Sequence, residues 1–279
     1  MNGKLYICAT PIGNLEDITL RTLKVLEEVD VIAAEDTRRT IRLLNHYGIS
    51  KPLMSYHEHN KLSKGGEIMA KLLEGQSIAL VSDAGMPGIS DPGEDAVRLA
   101  IESGIEVEVL PGPSAFVTAL VGSGLPTGRF LFFGFLSRDK KERRAQLEEL
   151  RYEKATVIFY EAPHRLLSTL SDMLEGLGNR KVCISRELTK LHEEHIRSTL
   201  QNAVEHFTKN HPRGEFVLIV DGSKEEKKIE EDFTEEMSHR EYVEYLMDSQ
   251  GMDKKEAIKT VAKKRGIAKN DVYREVHDI

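Results

Sequence analysis

Along the first two-thirds of the chain, short apolar runs alternate with segments whose apolar residues recur every three or four positions. The runs are Lys4–Ala9, Asp30–Ala34, Ile78–Val81, Glu106–Leu110, Phe130–Phe135, Thr156–Tyr160, Lys181–Ser185 and Phe216–Val220. Their length and apolar content predict strands. Between them, Leu20–Val29, Asp95–Ser103 and Leu166–Leu174 carry the spacing of amphipathic helices. The alternation predicts an α/β protein. Beyond about Asp221 the pattern changes, and residues 234–279 show helical periodicity alone.

Breaks in the pattern divide the chain. Pro111-Gly112-Pro113-Ser114 is the strongest hinge signal, which predicts an N-terminal α/β domain over 1–111 and a second over 112–222. The charged run at 223–233 reads as a linker, and 234–279 as a small helical appendage. Within the appendage, Asp253–Val261, Gly266-Ile267-Ala268 and Asn270–Val276 have the order of a helix-turn-helix-like unit. No internal repeat marks a solenoid.

Composition narrows the class. With 279 residues and 40% hydrophobic content the chain can bury two cores, and no window is apolar enough for a membrane span. The N-terminus MNGKLYICATP lacks the regions of a signal peptide, so a cytoplasmic protein is expected. Cys8 and Cys183 fall inside strand-like runs and read as buried thiols. A formal charge of −7 argues against a general nucleic-acid binder. Two basic segments stand out against it, Arg138–Arg144 and the helical tail Lys254–Arg274.

Candidate chemistry gathers where strands end. In IALVSDAGMPGISDPGEDAV, residues 78–97, Asp91-Pro92-Gly93-Glu94 reads as a helix start, with Asp91 as N-cap. Asp83 has no such local task and follows a strand directly, where open α/β sheets place ligand-binding groups. Three other loops follow strands in the same way: Thr10–Asp17, Pro111–Ser114 and Glu161–Arg165. Neither a GxxxxGK[ST] loop nor a GxGxxG fingerprint after a strand is present. The first three of these four loops contain no Lys or Arg, and offer carboxylates and carbonyls instead. That chemistry suits a ligand that is polar, hydroxyl-rich or positively charged, such as S-adenosylmethionine, another nucleoside or a sugar. The clusters His57-Glu58-His59 and His192-Glu193-Glu194-His195 lack HExxH spacing, so no metal is expected.

The ordered set ATPIGNLEDIT (9–19), AAEDTR (33–38), SYHEHN (55–60), SDAGMPGISDPG (82–93), PGPSA (111–115), FFGFL (132–136), FYEAPHR (159–165), RELTK (186–190) and GEF (214–216) resembles one family. It is that of the 16S rRNA (cytidine-2′-O)-methyltransferases, a branch of the tetrapyrrole methylase superfamily, and the likeness runs over residues 4–221. The resemblance implies a two-domain fold with S-adenosylmethionine in the cleft between domains, a homodimer, and methylation of a ribose 2′-hydroxyl of 16S rRNA in the small ribosomal subunit. Two positions depart from the family pattern: Gly88, where leucine is common, and Ser137, where proline is common.

The resemblance places Pro11, Asp83, Gly85, Pro87, Ser114, Ala115, Glu161, Ala162, Gly214, Glu215 and Phe216 around the cofactor. Ser114 is equally placed to cap the helix that follows. For the proton of the ribose hydroxyl the candidates are Asp36, Glu35, Glu161, His57 and His59. Asp36 ranks first, with Arg38 orienting it or gripping an RNA phosphate; a plain ion pair of Asp36 with Arg38 or Arg39 is the competing reading. RNA contacts are expected from His57, His59, Arg138, Lys140, Lys141, Arg143, Arg144, His164 and Arg165, and from the basic tail. A tetrapyrrole methyltransferase and a non-catalytic ribosome assembly factor are the alternative functions.

Overall fold

Five parallel strands make the first sheet: β1 (Lys4–Cys8), β2 (Val31–Ala34), β3 (Leu53–Ser55), β4 (Ile78–Val81) and β5 (Glu106–Leu110), in the order β3-β2-β4-β1-β5. β2 and β4 are buried throughout. Their uninterrupted apolar sequences are what a parallel sheet covered on both faces requires. One face is covered by α3 (Lys61–Leu73) and α4 (Gly93–Glu102), whose Ile68, Leu72, Ala96 and Ala100 pack on Leu5, Ile7 and Leu80. The other is covered by α1 (Leu20–Glu28) and α2 (Thr37–His46), through Val25, Leu26 and Leu44 against Ile32, Ala79 and Val81.

The second sheet is mixed. β6 (Phe130–Phe135), β7 (Thr156–Glu161), β8 (Lys181–Arg186), β9 (Glu194–Thr199) and β10 (Phe216–Val220) lie in the order β6-β7-β10-β8-β9. β6 and β7 are parallel, whereas β10 runs antiparallel to both its neighbours. Alternation along β10 sends Phe216, Leu218 and Val220 to one face and Val217 and Ile219 to the other. The first face is covered by α6 (Lys140–Glu149), α7 (Leu166–Leu177) and α8 (Leu200–Lys209), the second by α5 (Ala115–Ser123). Ile12, from the loop after β1, joins the α5 side and ties the two sheets together.

The computed structural model describes residues 2–226, 234 and 237–277. They form two compact units, one ending at Glu225 and one beginning at Glu226. Most of the expected linker, 227–233, lies outside the described residues. The second unit is a three-helix cluster of α9 (His239–Gln250), α10 (Lys254–Arg265) and α11 (Lys269–Glu275), built on Val243, Leu246, Ile258, Val261 and Val272. Ser238 and Glu241 start α9 with a reciprocal capping box. No helix among the described residues is long and apolar enough to cross a membrane.

The α/β class read from the alternation is the one observed, with two strands beyond those expected. β3 has three residues, and β9, EHIRST, has one aliphatic side chain. Both are edge strands, which need little apolar sequence. The start of α4 also differs: Pro92 is the N-cap, and the Asp91 carboxylate accepts from the amides of Gly93 at 2.8 Å and Gly88 at 2.7 Å.

Candidate active site

The loops after β1 and β4 are joined before they open to solvent. Thr10 and Gly85 exchange two backbone hydrogen bonds of 2.9 Å, and the Thr10 hydroxyl donates to the Ser82 carbonyl at 3.0 Å. The loops after β2 and β4 are joined by side chains. The amide of Asp83 donates to Glu35 Oε2 at 3.2 Å, and the amide of Asp36 donates to Asp83 Oδ1 at 3.0 Å. Arg39 closes the set from the first turn of α2, its Nη1 standing 3.1 Å from Asp83 Oδ2. Asp83 is thus fixed from two sides at the carboxyl end of the sheet. Desolvation pushes the Glu35 carboxyl up from its usual range, against the bond from the Asp83 amide, which pulls the other way.

A cavity of about 520 Å³ lies at this end. The first sheet contributes Thr10–Gly13, Leu15 and Ser82–Ala84, and α2 contributes Arg39, Thr40, Arg42 and Leu43. The second sheet contributes Glu187 and Lys190, after β8, and Gly214 and Glu215, before β10. Three carboxylates and three cations therefore share a wall that is otherwise mostly main chain and small side chains. Such a surface can hold a zwitterionic or hydroxylated ligand by both its charged ends. Among the described residues no group of three His, Cys, Asp or Glu side chains is arranged to hold a metal ion.

Of the residues expected around a cofactor, Pro11, Asp83, Gly214 and Glu215 line this cavity. Gly85 lies one layer behind, paired with Thr10, and Pro87 is buried. Ser114 is the N-cap residue of α5 yet makes no side-chain capping bond, which removes the capping reading of that hydroxyl. Ala115 joins the α5 core, Phe216 is buried beside the end of β7, and Ala162 donates its amide to Glu161. Four charged side chains of the cavity are not among the site residues expected from the sequence: Arg39, Arg42, Glu187 and Lys190. RELTK was visible as a motif, but only the fold carries it to the other loops.

The three residues expected to carry the chemistry are engaged elsewhere. Asp36 caps α2 through a 2.8 Å bond from the Arg38 amide, and its two oxygens take the Arg38 guanidinium at 3.1 and 2.8 Å. The Arg38 side chain holds the Asp36 carboxyl down to about 2, which makes it a poor proton acceptor. The competing ion-pair reading is the geometry observed. Glu161 is 2% exposed, with one oxygen accepting from the Thr169 hydroxyl at 2.6 Å and the other from the Ala162 amide at 2.8 Å.

The expected RNA contacts divide as well. Arg143 is buried, bonding Asp172 at 2.6 and 2.8 Å and the carbonyls of Ser137 and Arg138. Arg165 donates to the carbonyls of Leu136 and Ser137 at 3.0 Å each, so it too serves the fold. Arg144 pairs with Asp172 and Glu175 at the surface. Arg138, Lys140, Lys141, His59 and His164 are exposed, and half-buried His57 is tied to Asn60. None of these nine lines the cavity.

Both departures from the family pattern have local reasons. Gly88 adopts φ +88°, a conformation that a leucine avoids. Ser137 donates its amide to Gln146 Oε1 at 2.9 Å and its hydroxyl to Glu142 at 2.8 Å, and accepts from the Asp139 amide. A proline there has no N–H to give.

Comparison with known proteins agrees with this architecture. The Tetrapyrrole (Corrin/Porphyrin) Methylases match residues 4–204. Ribosomal RNA small subunit methyltransferase I of Halalkalibacterium halodurans is 54% identical over 99% of this chain and 95% of its own. The protein of that name from Thermotoga maritima is 53% identical over 79% of this chain and 99% of its own. Among solved structures, uroporphyrin-III C-methyltransferase of Thermus thermophilus complexed with S-adenyl homocysteine superposes with a TM-score of 0.57 at 18% identity, covering 78% of this chain and 97% of that one. The chain belongs to the tetrapyrrole (corrin/porphyrin) methylases and, within them, to the ribosomal RNA small subunit methyltransferase I family.

Proposed function

We propose that this protein transfers the methyl group of S-adenosylmethionine to the ribose 2′-hydroxyl of a cytidine in the decoding region of 16S rRNA, acting in the cytoplasm on the small ribosomal subunit. The observation that carries the reading is the 54% identity, over nearly the full length of both chains, to a ribosomal RNA small subunit methyltransferase I. The cavity supports it. Its volume of about 520 Å³ suits a nucleoside-sized ligand. Asp83, Glu187 and Glu215 complement a sulfonium and an ammonium, while Arg42 and Lys190 complement a carboxylate or a phosphate.

When bound, S-adenosylmethionine supplies an activated methyl group. Pro11, Asp83, Gly214 and Glu215 hold and orient it, with Gly85, Pro87, Ser114, Ala115, Ala162 and Phe216 shaping the surrounding loops. Asp36 supports the site through its amide bond to Asp83, Arg38 holds Asp36, and Glu161 secures the loop after β7, so that none of the three moves a proton. Catalysis then rests on alignment and exclusion of water, which account for large rate factors without a dedicated base. Arg42 and Lys190 at the cavity, with exposed Arg138, Lys140 and Lys141, supply local phosphate contacts, and an acidic protein recognises folded RNA mainly by shape. The active form is a homodimer, a reading supported by exposed apolar side chains on edge strand β6 and helix α5: Phe130, Phe135, Val117 and Val121.

The test is transfer of labelled methyl to three acceptors: small subunits lacking the modification, protein-free 16S rRNA, and a tetrapyrrole. Label on one cytidine ribose, with subunits preferred, is the expected result. Label in the tetrapyrrole alone overturns the RNA reading, and no label with retained subunit binding points to an assembly factor.

A further inference from the structure

The turn between β8 and β9 brings Glu187 and Lys190 to the cavity in a conformation that its sequence does not favour. Glu187 and Thr189 have φ of +52° and +64°, a region L-residues other than glycine seldom enter. Strained backbone persists only where its surroundings over-determine it. Here the restraint comes from Glu193. Its Oε2 accepts from the Thr189 amide at 2.6 Å, and its Oε1 lies 3.1 Å from His195 Nε2. The opposite ring nitrogen, Nδ1, is 2.8 Å from the hydroxyl of Ser185, a fully buried residue directly across the β8–β9 ladder. The ring also lies against α5, where a Cβ on Gly122 would sit 2.8 Å from it.

The turn in turn holds the first loop. The Thr189 hydroxyl accepts from the Asn14 amide at 2.9 Å, and Gly13 comes so near Leu188 that a Cβ would meet its carbonyl oxygen at 2.7 Å. A continuous series of bonds thus runs from the core of the second sheet, through His195 and Glu193, to the loop after β1. Ser185, His195 and Glu193 superficially match a hydrolase triad, but the two ring nitrogens are exchanged relative to one, and Ser185 lines no part of the cavity.

We infer that Glu193 and His195 are positioning residues that lock the Glu187–Lys190 turn against the Pro11–Asn14 loop, so that Glu187 and Lys190 face the ligand in a fixed arrangement. The inference rests on the cavity being the cofactor site. Two measurements on the full-length protein test it separately from that reading. In calorimetric titration with S-adenosylhomocysteine, Glu193→Ala weakens binding about tenfold, and Glu193→Gln, which still accepts from Thr189 and lets the His195 tautomer reverse, recovers most of it. Thr199→Ala, which removes the α8 cap at the far end of the same strand, leaves affinity unchanged. In hydrogen exchange without ligand, Glu193→Ala and His195→Ala raise uptake across 186–195 selectively.

Wild-type affinity in Glu193→Ala overturns the inference. So does a Gln variant no better than Ala, or an equal loss in Thr199→Ala. If the wild-type protein does not bind S-adenosylhomocysteine, the cofactor reading has failed, and exchange alone decides: selective loss of protection supports the lock, and unchanged uptake overturns it.

Discussion

Asp36 and Glu35 are adjacent carboxylates with opposite electrostatics. Asp36 is spent on a helix cap and on Arg38, so Asp36→Asn, which keeps a capping acceptor, lowers methyl transfer less than about tenfold, whereas loss of a working general base costs roughly 10²–10⁴. Single-turnover rates on small subunits check this. Glu35 is the reverse case, because burial raises its carboxyl above the usual range near 4.5. A raised folded-state value means that the neutral form is favoured by the fold, so ionised Glu35 costs stability at pH above that value and the cost disappears as pH falls below about 4.5. Glu35→Gln keeps an acceptor for the Asp83 amide and removes the charge. It therefore raises Tm by about 2 °C at pH 8 and leaves it unchanged at pH 4, measured by calorimetry. Asp83 was legible from its place after an apolar run. Its lock with Glu35 and Asp36 was not, because it joins residues 47 and 48 positions apart and depends on β2 lying beside β4.

At the scale of elements, the run Arg138–Arg144 shows how a charge pattern misleads when read linearly. In α6, Arg143 falls on the same face as Leu147, four residues on, and both are buried. That helical spacing was present in the sequence, and weighing it above charge would have placed Arg143 inside. Removing Arg143 leaves the buried Asp172 with only the longer 3.4 Å contact to the exposed Arg144, so Arg143→Ala destabilises the fold by about 3 kcal/mol. Lys140→Ala with Lys141→Ala, at exposed positions, changes stability by less than about 0.5 kcal/mol. Urea denaturation of the two variants distinguishes them. The central strands were legible because burial on both faces demands continuous apolar sequence. β3 and β9 were not, since β3 has only three residues and β9, EHIRST, only one aliphatic side chain, too little to mark a strand. The same limit hid the turn bearing Glu187 and Lys190, which is placed by the β8–β9 hairpin.

For the whole molecule, two surfaces remain to be assigned, and they predict different losses. Val121 is 73% exposed and Phe135 54% exposed, an apolar burden that a monomer would carry into water unpartnered. Val121→Asp with Phe135→Asp halves the mass in sedimentation equilibrium if they form the dimer contact, and an unchanged mass removes them from it. The second surface belongs to the helical unit. Its core and caps are its own, and Arg265 bonds the carbonyls of Thr234 and Met237 within it. The Thermotoga relative, aligned over 99% of its length, leaves about a fifth of this chain without a counterpart, which is close to the share of residues after Glu225. A chain ending at Glu225 is therefore expected to fold and to bind S-adenosylhomocysteine within about twofold of the full-length protein. Lys255, Lys259 and Lys263 are exposed and follow one another every four residues along α10, a stripe that suits a run of phosphates. Loss of that stripe weakens binding to small subunits, and the slope of log affinity against log salt falls by roughly 0.7–0.9 for each phosphate contact removed. Weaker subunit binding with an unchanged slope means that the unit grips ribosomal protein or shapes the dimer. Unchanged binding means that it takes no part in recognition, and the phosphate contacts then belong to Arg42, Lys190 and the exposed Arg138, Lys140 and Lys141.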